Sequence, residues 1–336
     1  MSSFLARRLL LGFLVLFGVI LITFVLTRVV PSDPASQWVG ARATAEQKAK
    51  AAEELGLNKP IPIQFLVYLN DLAHGNLGYS LDTHQPVTSE LIARLPATIE
   101  LVLISFFAAT LIGLPLGVVS ARRKDKWQDH TSRIFSVGFV SMPTFWVALF
   151  LQLIFYSWLG WLPAGGEVST DIQVFYTTPK VTHFLLVDSL IAGQWAVFID
   201  ALYHIVLPAI ALAAYPIGLV ARMTRSAMLE ILNEDYITAA RSYGLPERTV
   251  HWVYGLKNSL GPTVTVVTLA IGYTLVNTFL VEAIFSWPGI GNYIATAVTT
   301  LNYPAIMGVT IFSAVSYIIL NMIADIIIAM DPRVRV

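Results

Sequence analysis

Ionisable side chains inside long apolar stretches are the first candidates for chemistry in this sequence. Glu282 and Asp325 each lie near the end of such a stretch, and of the six histidines only His204 lies within one. Charged groups in apolar segments are costly and are therefore functional suspects. Neither carboxylate has a basic neighbour in its stretch, and no series of carboxylates could relay protons. Structural pairing explains the two carboxylates as well as a functional role does, and hydrogen-bonded structure is the simpler interpretation of His204.

The motifs that carry most enzymatic and nucleotide-binding chemistry are absent from the sequence. It has no GxxxxGK[ST] phosphate loop, no HExxH zinc motif, no GxSxG nucleophile elbow and no EF-hand loop. Cysteine is also absent, which excludes disulfides, cysteine-based zinc clusters and a cysteine nucleophile. We therefore expect a non-catalytic chain that binds no cofactor and no metal itself.

A polar stripe runs along one apolar stretch, residues 263–285. Tyr273 and Asn277 are four residues apart and so share one helical face, with Thr278 beside them. Hydrogen bonding to neighbouring helices would explain such a stripe. The lining of a polar pathway would explain it equally well, so both interpretations stay open.

Residues 233–262 form a polar island between two apolar stretches, and we expect two short helices joined by a sharp turn there. Asn233 is a favourable N-cap residue for the first helix. Glu234 and Asp235 lie in its first turn and Arg241 in its last, which is the charge order that the helix dipole favours. Gly244 then suits the left-handed position that ends a helix.

A helix of about ten residues is marginal by itself in water, so the first helix of the island is expected to dock on something. Ala239 and Ala240 would leave a low surface that another protein could approach closely. Pro246 suits the first turn of the second helix.

Composition identifies the elements that must position these residues as membrane helices. The 336 residues are 56% hydrophobic and only 12% charged, whereas soluble domains carry about a quarter charged residues. The 21 basic and 21 acidic residues cancel, which argues against nucleic acid as a partner. The fold class is therefore an all-α integral membrane protein.

Six stretches have the length and apolarity of membrane spans. The first lies within an N-terminal segment of residues 1–30, and a small extracytoplasmic subdomain is expected at 31–97, with helices near 43–55 and 63–72. In the second of these helices, Phe65, Tyr68, Leu69 and Leu72 share one face. The membrane core is expected at 98–336, with spans at 98–119, 134–159, 201–220, 263–285 and 304–329 and a polar loop at 221–262.

The distribution of basic residues predicts the orientation. Arginine and lysine concentrate at 7–8, 122–133, 222–257 and 333–335, all on one side of the six spans. On the other side, the connector 160–200 has Lys180 as its only basic residue and the connector 287–303 has no charge. By the positive-inside rule both termini and the polar island are expected in the cytoplasm.

Several short runs, in order and spread over most of the chain, resemble one family: the B-type permease subunits of binding-protein-dependent ABC importers for dipeptides, oligopeptides and nickel. Singly each run is weak, but the order and spacing are specific. The runs are Pro31-Ser32-Asp33-Pro34, residues 55–60, Gly75-Asn76-Leu77-Gly78-Tyr79-Ser80, residues 141–146, Arg222-Met223-Thr224-Arg225, residues 234–244, residues 282–291 and Asp331-Pro332-Arg333.

The resemblance implies a type I ABC importer permease fold and a role for the polar island. In such importers this loop carries the EAA motif, whose coupling helix docks on the ATPase subunit. Thr238 stands where the general motif has glutamate, while the two alanines and the glycine match. The implied coupling residues are Glu234, Asp235, Thr238, Ala239, Ala240, Arg241 and Gly244.

The resemblance also implies the partners and the mechanism. A substrate-binding protein would deliver substrate to the outer face, a homologous second permease subunit would complete the pathway, and two ATP-binding subunits that use ATP and Mg²⁺ would drive alternating access. The membrane would be a bacterial or archaeal cytoplasmic membrane, crossed several times. The candidate pathway lining is Met142, Tyr273, Asn277 and Thr278, and the candidate binding-protein contacts are Trp287 and Tyr293.

The substrate expected from the resemblance is a di- or oligopeptide, with a nickel chelate or an oligosaccharide as the alternative. Two other classes remain open. An intramembrane enzyme would need a nucleophile with a paired base, for which His204 and a span serine are the only faint candidates. A self-contained secondary transporter would work without the partners.

Overall fold

The computed structural model describes residues 2–29, 34–40 and 42–330, and every regular element in these ranges is helical. This confirms the predicted all-α class. The helices are α1 Ser2–Val29, α2 Pro34–Val39, α3 Ala45–Glu54, α4 Ile61–Ala73, α5 Val87–Arg122, α6 Trp127–Ser141, α7 Thr144–Leu151, α8 Thr170–Phe175, α9 Leu185–Ile191, α10 Trp195–Ile231, α11 Asp235–Ser242, α12 Glu247–Thr249, α13 Leu256–Ile284, α14 Ile290–Thr299 and α15 Tyr303–Met330, with π-helical segments at Gln152–Trp158 and Val250–Gly255.

A helix occupies each of the six predicted spans. Among the described residues, α1, α5, α10 and α15 are long and apolar enough to cross a membrane. The predicted span 263–285 falls within the 29-residue helix α13.

The third predicted span, residues 134–159, is not one straight helix. α6 ends at Ser141, Met142 and Pro143 adopt extended backbone angles, and the chain restarts as α7 at an angle of 108°. The pair counts as a fifth span only if both halves cross together. Proline disfavours helical geometry in the residue before it, which accounts for the break at Met142.

Pro208 and Pro216 do not interrupt α10, which runs for 37 residues. Each proline removes one backbone donor inside the helix. In a membrane, neighbouring helices stabilise such a helix by packing. Its middle is indeed deeply buried, with Leu207, Ala211 and Ala213 all within the packed interior.

The contacts divide the chain into two compact units. One comprises Met1–Pro96 and Gly289–Ile319, and in it the side chain of Asn302 holds the loop before α5. Its Nδ2 donates to Ser80 Oγ at 2.8 Å and to Asp82 Oδ2 at 2.9 Å, and its Oδ1 accepts from the Leu81 amide at 3.2 Å. This unit therefore has a buried polar clamp as well as an apolar core.

The other unit comprises Ala97–Pro288 and Leu320–Val336 and contains the close crossing of α5 and α10. A Cβ at Gly117 would lie 2.6 Å from Thr224 Cβ, and one at Gly113 would lie 2.9 Å from Val220. The spacing Gly113-x-x-x-Gly117 is the small-residue pattern that lets membrane helices approach each other closely. The two glycines thus set the position of α10, the helix that leads into the polar island.

Candidate functional site

The end of α10 that leads into the polar island is held by a buried ion pair. Arg225 donates from Nε to Asp129 Oδ1 at 2.7 Å and from Nη2 to Asp129 Oδ2 at 2.8 Å. The Asp129 side chain is fully buried, and Arg225 is 20% exposed. Such two-point guanidinium–carboxylate pairing fixes geometry as well as charge.

Asp129 also accepts two further hydrogen bonds, from Ser120 Oγ at 2.6 Å and from the Asp125 amide at 3.0 Å. Ser120 belongs to α5, and Asp129 lies in the first turn of α6. One carboxylate therefore joins α5, the α5–α6 turn, α6 and α10. Sequence reasoning missed Asp129, because only its spatial neighbours distinguish it from other acidic residues beside a basic loop.

The first short helix of the island, α11, begins one residue later than predicted. Glu234 is the N-cap and makes no side-chain capping hydrogen bond. The Asn233 side chain instead donates from Nδ2 to the Leu229 carbonyl at 2.8 Å, so the expectation that Asn233 caps the helix is wrong. Asp235 lies in the first turn and Arg241 in the last, as predicted.

The end of α11 is a Schellman motif. Gly244 has φ +75, its amide donates to the Arg241 carbonyl at 2.9 Å, and the Leu245 amide donates to the Ala240 carbonyl at 3.2 Å. A residue with a side chain would be strained at this φ. The predicted left-handed role of Gly244 is therefore confirmed, whereas Pro246 is the N-cap of α12 and not part of its first turn.

α11 has one face against the protein and one face open. Ile237 is completely buried and Ala240 nearly so, whereas Asp235, Thr238 and Ala239 are exposed. Only one of the two alanines can therefore offer a low surface to a partner. The expectation that Ala240 does so is corrected: its methyl group packs inward because it lies one turn after Ile237.

α11 rests on the π-helical segment Val250–Gly255. That segment packs in turn on the end of α10, where a Cβ at Gly255 would lie 3.0 Å from Met228 Cε and 3.5 Å from Leu232 Cδ2. An exposed ion pair between Arg241 Nε and Glu247 Oε1, 3.0 Å apart, spans the turn between α11 and α12. These contacts connect the open face of α11 to the ion-paired end of α10.

The four candidate pathway residues have different surroundings. Met142 is exposed at the break between α6 and α7. Thr278 is buried, and its hydroxyl donates to the Thr274 carbonyl of its own helix at 2.8 Å. Asn277 is partly buried, and the Tyr273 side chain lies outside the described residues. The positions of these side chains do not test the pathway lining, which stays a prediction.

Trp287 and Tyr293, the candidate binding-protein contacts, are both buried. Trp287 is 1% exposed and donates from Nε1 to the Ala97 carbonyl at 2.9 Å. Tyr293 is 8% exposed, with the Arg94 guanidinium 4.6 Å from its ring centre. Each side chain is a packing anchor of its own unit, which does not support direct contact with a soluble partner.

Of the three ionisable suspects, His204 is explained by local structure. It is buried, and its Nδ1 is 2.8 Å from the Asp200 carbonyl and 3.4 Å from the Asp200 carboxylate. Glu282 is fully buried. The side chain of Asp325 lies outside the described residues.

Three carboxylates, those of Glu100, Glu167 and Asp188, interact in the unit that contains the polar island, away from the island itself. Glu100 accepts from the amides of Leu185 and Leu186, at 3.1 and 3.0 Å, and so caps α9. Burial, and next the charge of Glu100, raise the pKa of Glu167 to about 7, although Lys180 opposes them. Burial alone would raise the pKa of Asp188, but hydrogen bonds from Thr182, His183 and Val181 hold it below its ordinary value.

These features define a class of protein: a helical membrane protein in which the short helix α11 packs by one face next to the end of the long helix α10. Comparison with known families agrees. Residues 113–336 match the family of binding-protein-dependent transport system inner membrane components, and residues 1–102 match the N-terminal family of such membrane components. The chain belongs to the binding-protein-dependent transport system inner membrane components, and is therefore a transport subunit and not an enzyme.

Relatives of known function cover the chain from end to end. It is 41% identical to the di/tripeptide transport system permease protein DppB of Pseudomonas aeruginosa, over 100% of this chain and 99% of that one. It is 39% identical to the dipeptide transport system permease protein DppB of Alkalihalophilus pseudofirmus and 33% identical to the oligopeptide transport system permease protein AppB of Bacillus subtilis, both over 100% of each chain.

A solved structure agrees on the fold. A chain of the MetNI methionine ABC transporter, solved in inward-facing conformations, superposes with a TM-score of 0.50 at 18% identity, over 71% of this chain and 94% of that one. The predicted type I importer permease fold is confirmed.

Proposed function

We propose that this chain is one of two homologous permease subunits of an ATP-driven importer of di- or oligopeptides, and that the exposed face of α11 docks on an ATPase subunit. The observation that carries the docking role is the division of α11 into a buried face and an open face. Ile237 and Ala240 fix the helix to its own chain, and Asp235, Thr238 and Ala239 stay available. Gly244 and Arg241 shape its end, and Glu234 its beginning.

The island lies on the cytoplasmic side in this proposal, with both termini, because basic residues concentrate there. The chain has no phosphate-binding loop of its own. ATP and Mg²⁺ would therefore be bound by two separate ATPase subunits, and an extracytoplasmic binding protein would deliver the substrate.

Movement of α11 would reach the membrane through α10. Its 37 residues correspond to about 55 Å of continuous helix at 1.5 Å per residue. The Asp129–Arg225 ion pair joins its end to α5 and α6, so a push on α11 would displace several helices together. Pro208 and Pro216 are the positions where α10 would bend most easily, since each lacks a backbone donor.

The substrate class rests on the relatives, whose names specify dipeptides, tripeptides and oligopeptides. The residues of this chain do not themselves indicate peptides, because a single permease subunit does not form the complete pathway lining. Selectivity would then reside largely in the binding protein.

The test is uptake by proteoliposomes that contain this chain, its partner permease and both ATPases, with the binding protein outside and ATP inside. We expect labelled dipeptide to accumulate, with competition by other short peptides and not by nickel chelates or oligosaccharides. Uptake by this chain alone without ATP would contradict the proposal in favour of a secondary transporter. Competition by nickel chelates alone would overturn the substrate class.

A further inference from the structure

The helix α4, residues Ile61–Ala73, has an unusual outward face for an element outside the predicted spans. Ile63, Leu66 and Val67 are all exposed, and Leu66 is 65% exposed. Asn70 is the first polar side chain along this face. A helix of a water-exposed subdomain normally turns its polar side outward, so water is a poor neighbour for this surface.

The opposite face of α4 packs on the membrane helix α1. The Phe65 ring lies 5.0 Å from the ring of Phe24 and 6.4 Å from the ring of Phe17. Tyr68 stacks on Phe24 with ring centres 5.8 Å apart. The sequence-predicted face of Phe65, Tyr68, Leu69 and Leu72 is therefore the face that docks, as expected.

These contacts set the depth of α4. The stretch of α1 that is long and apolar enough to cross a membrane is Leu10–Thr27. At 1.5 Å per residue, Phe24 is about 5 Å and Phe17 about 15 Å from the Thr27 end. The hydrocarbon core of a bilayer is about 30 Å thick. Phe65 touches both rings, so the middle of α4 lies within the leaflet that surrounds the C-terminal half of α1.

The neighbouring helix α3 provides an internal contrast. It belongs to the same connector, and its exposed residues include Glu46, Gln47, Lys50, Glu53 and Glu54. Helix α3 thus presents to its surroundings the charges expected of a water-exposed helix, and α4 does not.

The start of α4 also suits an apolar medium, in which an unbonded backbone group is expensive. Pro62 in its first turn has no amide hydrogen to satisfy. Gln64 donates from Nε2 to the Leu57 carbonyl at 3.1 Å and to the Lys59 carbonyl at 2.7 Å. The side chain thus gives hydrogen bonds to two backbone carbonyls of the turn before α4.

We propose that α4 is embedded in one leaflet of the bilayer, with Ile63, Leu66 and Val67 in contact with lipid acyl chains. In the orientation proposed above this is the outer leaflet. The residues 31–97 are then not wholly water-exposed: α3 faces water, and α4 extends the lipid-facing surface of α1. The partner of this surface is lipid and not a soluble protein.

The absence of cysteine from the chain permits a direct test. A single spin label would be attached at Leu66→Cys in the assembled transporter in lipid vesicles. Its collision rates would be measured with oxygen, which concentrates in hydrocarbon, and with chromium oxalate, which stays in water. Matched labels at Leu14→Cys, exposed on α1, and at Ala49→Cys, exposed on α3, calibrate lipid and water.

We expect the oxygen-to-chromium ratio at Leu66→Cys to match that at Leu14→Cys and to exceed that at Ala49→Cys several-fold. A ratio equal to that at Ala49→Cys would overturn the proposal, because the face would then be in water. Low collision rates with both reagents would also overturn it, because another protein subunit would then cover the face. A second label at Val67→Cys guards against a local disturbance at Leu66 and must give the same result.

Discussion

Two short helices, α4 and α11, are attached to the membrane helices in the same way and face different surroundings. Each packs one face on its own chain: α4 through the partly buried Phe65 and Tyr68, and α11 through the buried Ile237 and Ala240. Outward, α4 shows isoleucine, leucine and valine, whereas α11 shows aspartate, tyrosine, threonine and alanine. The packed face shows where each helix is attached to the protein. The composition of the open face indicates its surroundings, which we propose to be lipid for α4 and water or a soluble partner for α11.

The attachments differ in kind as well. Helix α4 is held by contacts between aromatic rings. Helix α11 leads back to an end of α10 that is fixed by a two-point ion pair.

Removal of Asp129 should have the largest effect on stability, because this carboxylate joins the end of α10 to α5 and α6. Asp129→Ala leaves Arg225 without its partner, and breaking a buried pair costs about 3–5 kcal/mol, with the lower end expected because Arg225 is 20% exposed. Thermal unfolding of the purified complex would show this. The double variant Asp129→Leu with Arg225→Met should recover most of the loss, and a single variant as stable as the native chain would contradict the account.

Truncation of the buried side chain of α11 should release that helix alone. Ile237→Ala removes a fully buried side chain, for which a loss of about 2 kcal/mol or more is typical. Hydrogen exchange of the α11 amides should accelerate more than tenfold, while exchange in α4 stays unchanged. Equal acceleration in both helices would mean that the two attachments are not independent.

A lysine on the outward face should lower stability when it is placed on α4 and leave stability nearly unchanged when it is placed on α11. Leu66→Lys places the charge among acyl chains, at a cost of about 1–2 kcal/mol for a site between the midplane and the interface of the bilayer. Ala239→Lys should leave stability within about 0.5 kcal/mol of the native value. Thermal unfolding in lipid nanodiscs distinguishes them, and equal stability of the two variants would argue that α4 faces water.

The exposed ion pair beside α11 should have the smallest effect. Glu247→Gln removes the partner of Arg241, and exposed pairs contribute about 0.2–1 kcal/mol. We expect a slight acceleration of hydrogen exchange in α11 that disappears at high salt, where the pair is screened. A loss that persists at high salt would show that Glu247 supports α11 by other means.

Local sequence rules predicted the parts of this fold that depend on neighbours along the chain. The helices α3 and α4, the inward face of α4, the charge order of α11 and the left-handed Gly244 are of this kind. Each follows from periodicity, capping or a backbone angle, and none requires knowledge of the rest of the molecule.

Features that depend on distant contacts were missed or misjudged. Asp129 is distinguished by its spatial partners, of which Arg225 is 96 residues away along the chain. Trp287 was expected to contact a binding protein, yet its side chain is buried and donates its indole hydrogen to the Ala97 carbonyl. The spacing of Gly113 and Gly117 was a signal in the sequence that could have located the α5–α10 crossing.

The most direct test of the account is the ATPase activity of the assembled transporter with Ala239→Trp. The substitution fills the open face of α11 without touching its buried face, and Ala49→Trp on the exposed side of α3 is the matched control. We predict that the Ala239→Trp complex folds in the membrane but loses the stimulation of ATP hydrolysis by the substrate-loaded binding protein, while the control retains it. Normal stimulation with Ala239→Trp would contradict the assignment of α11 as the coupling helix.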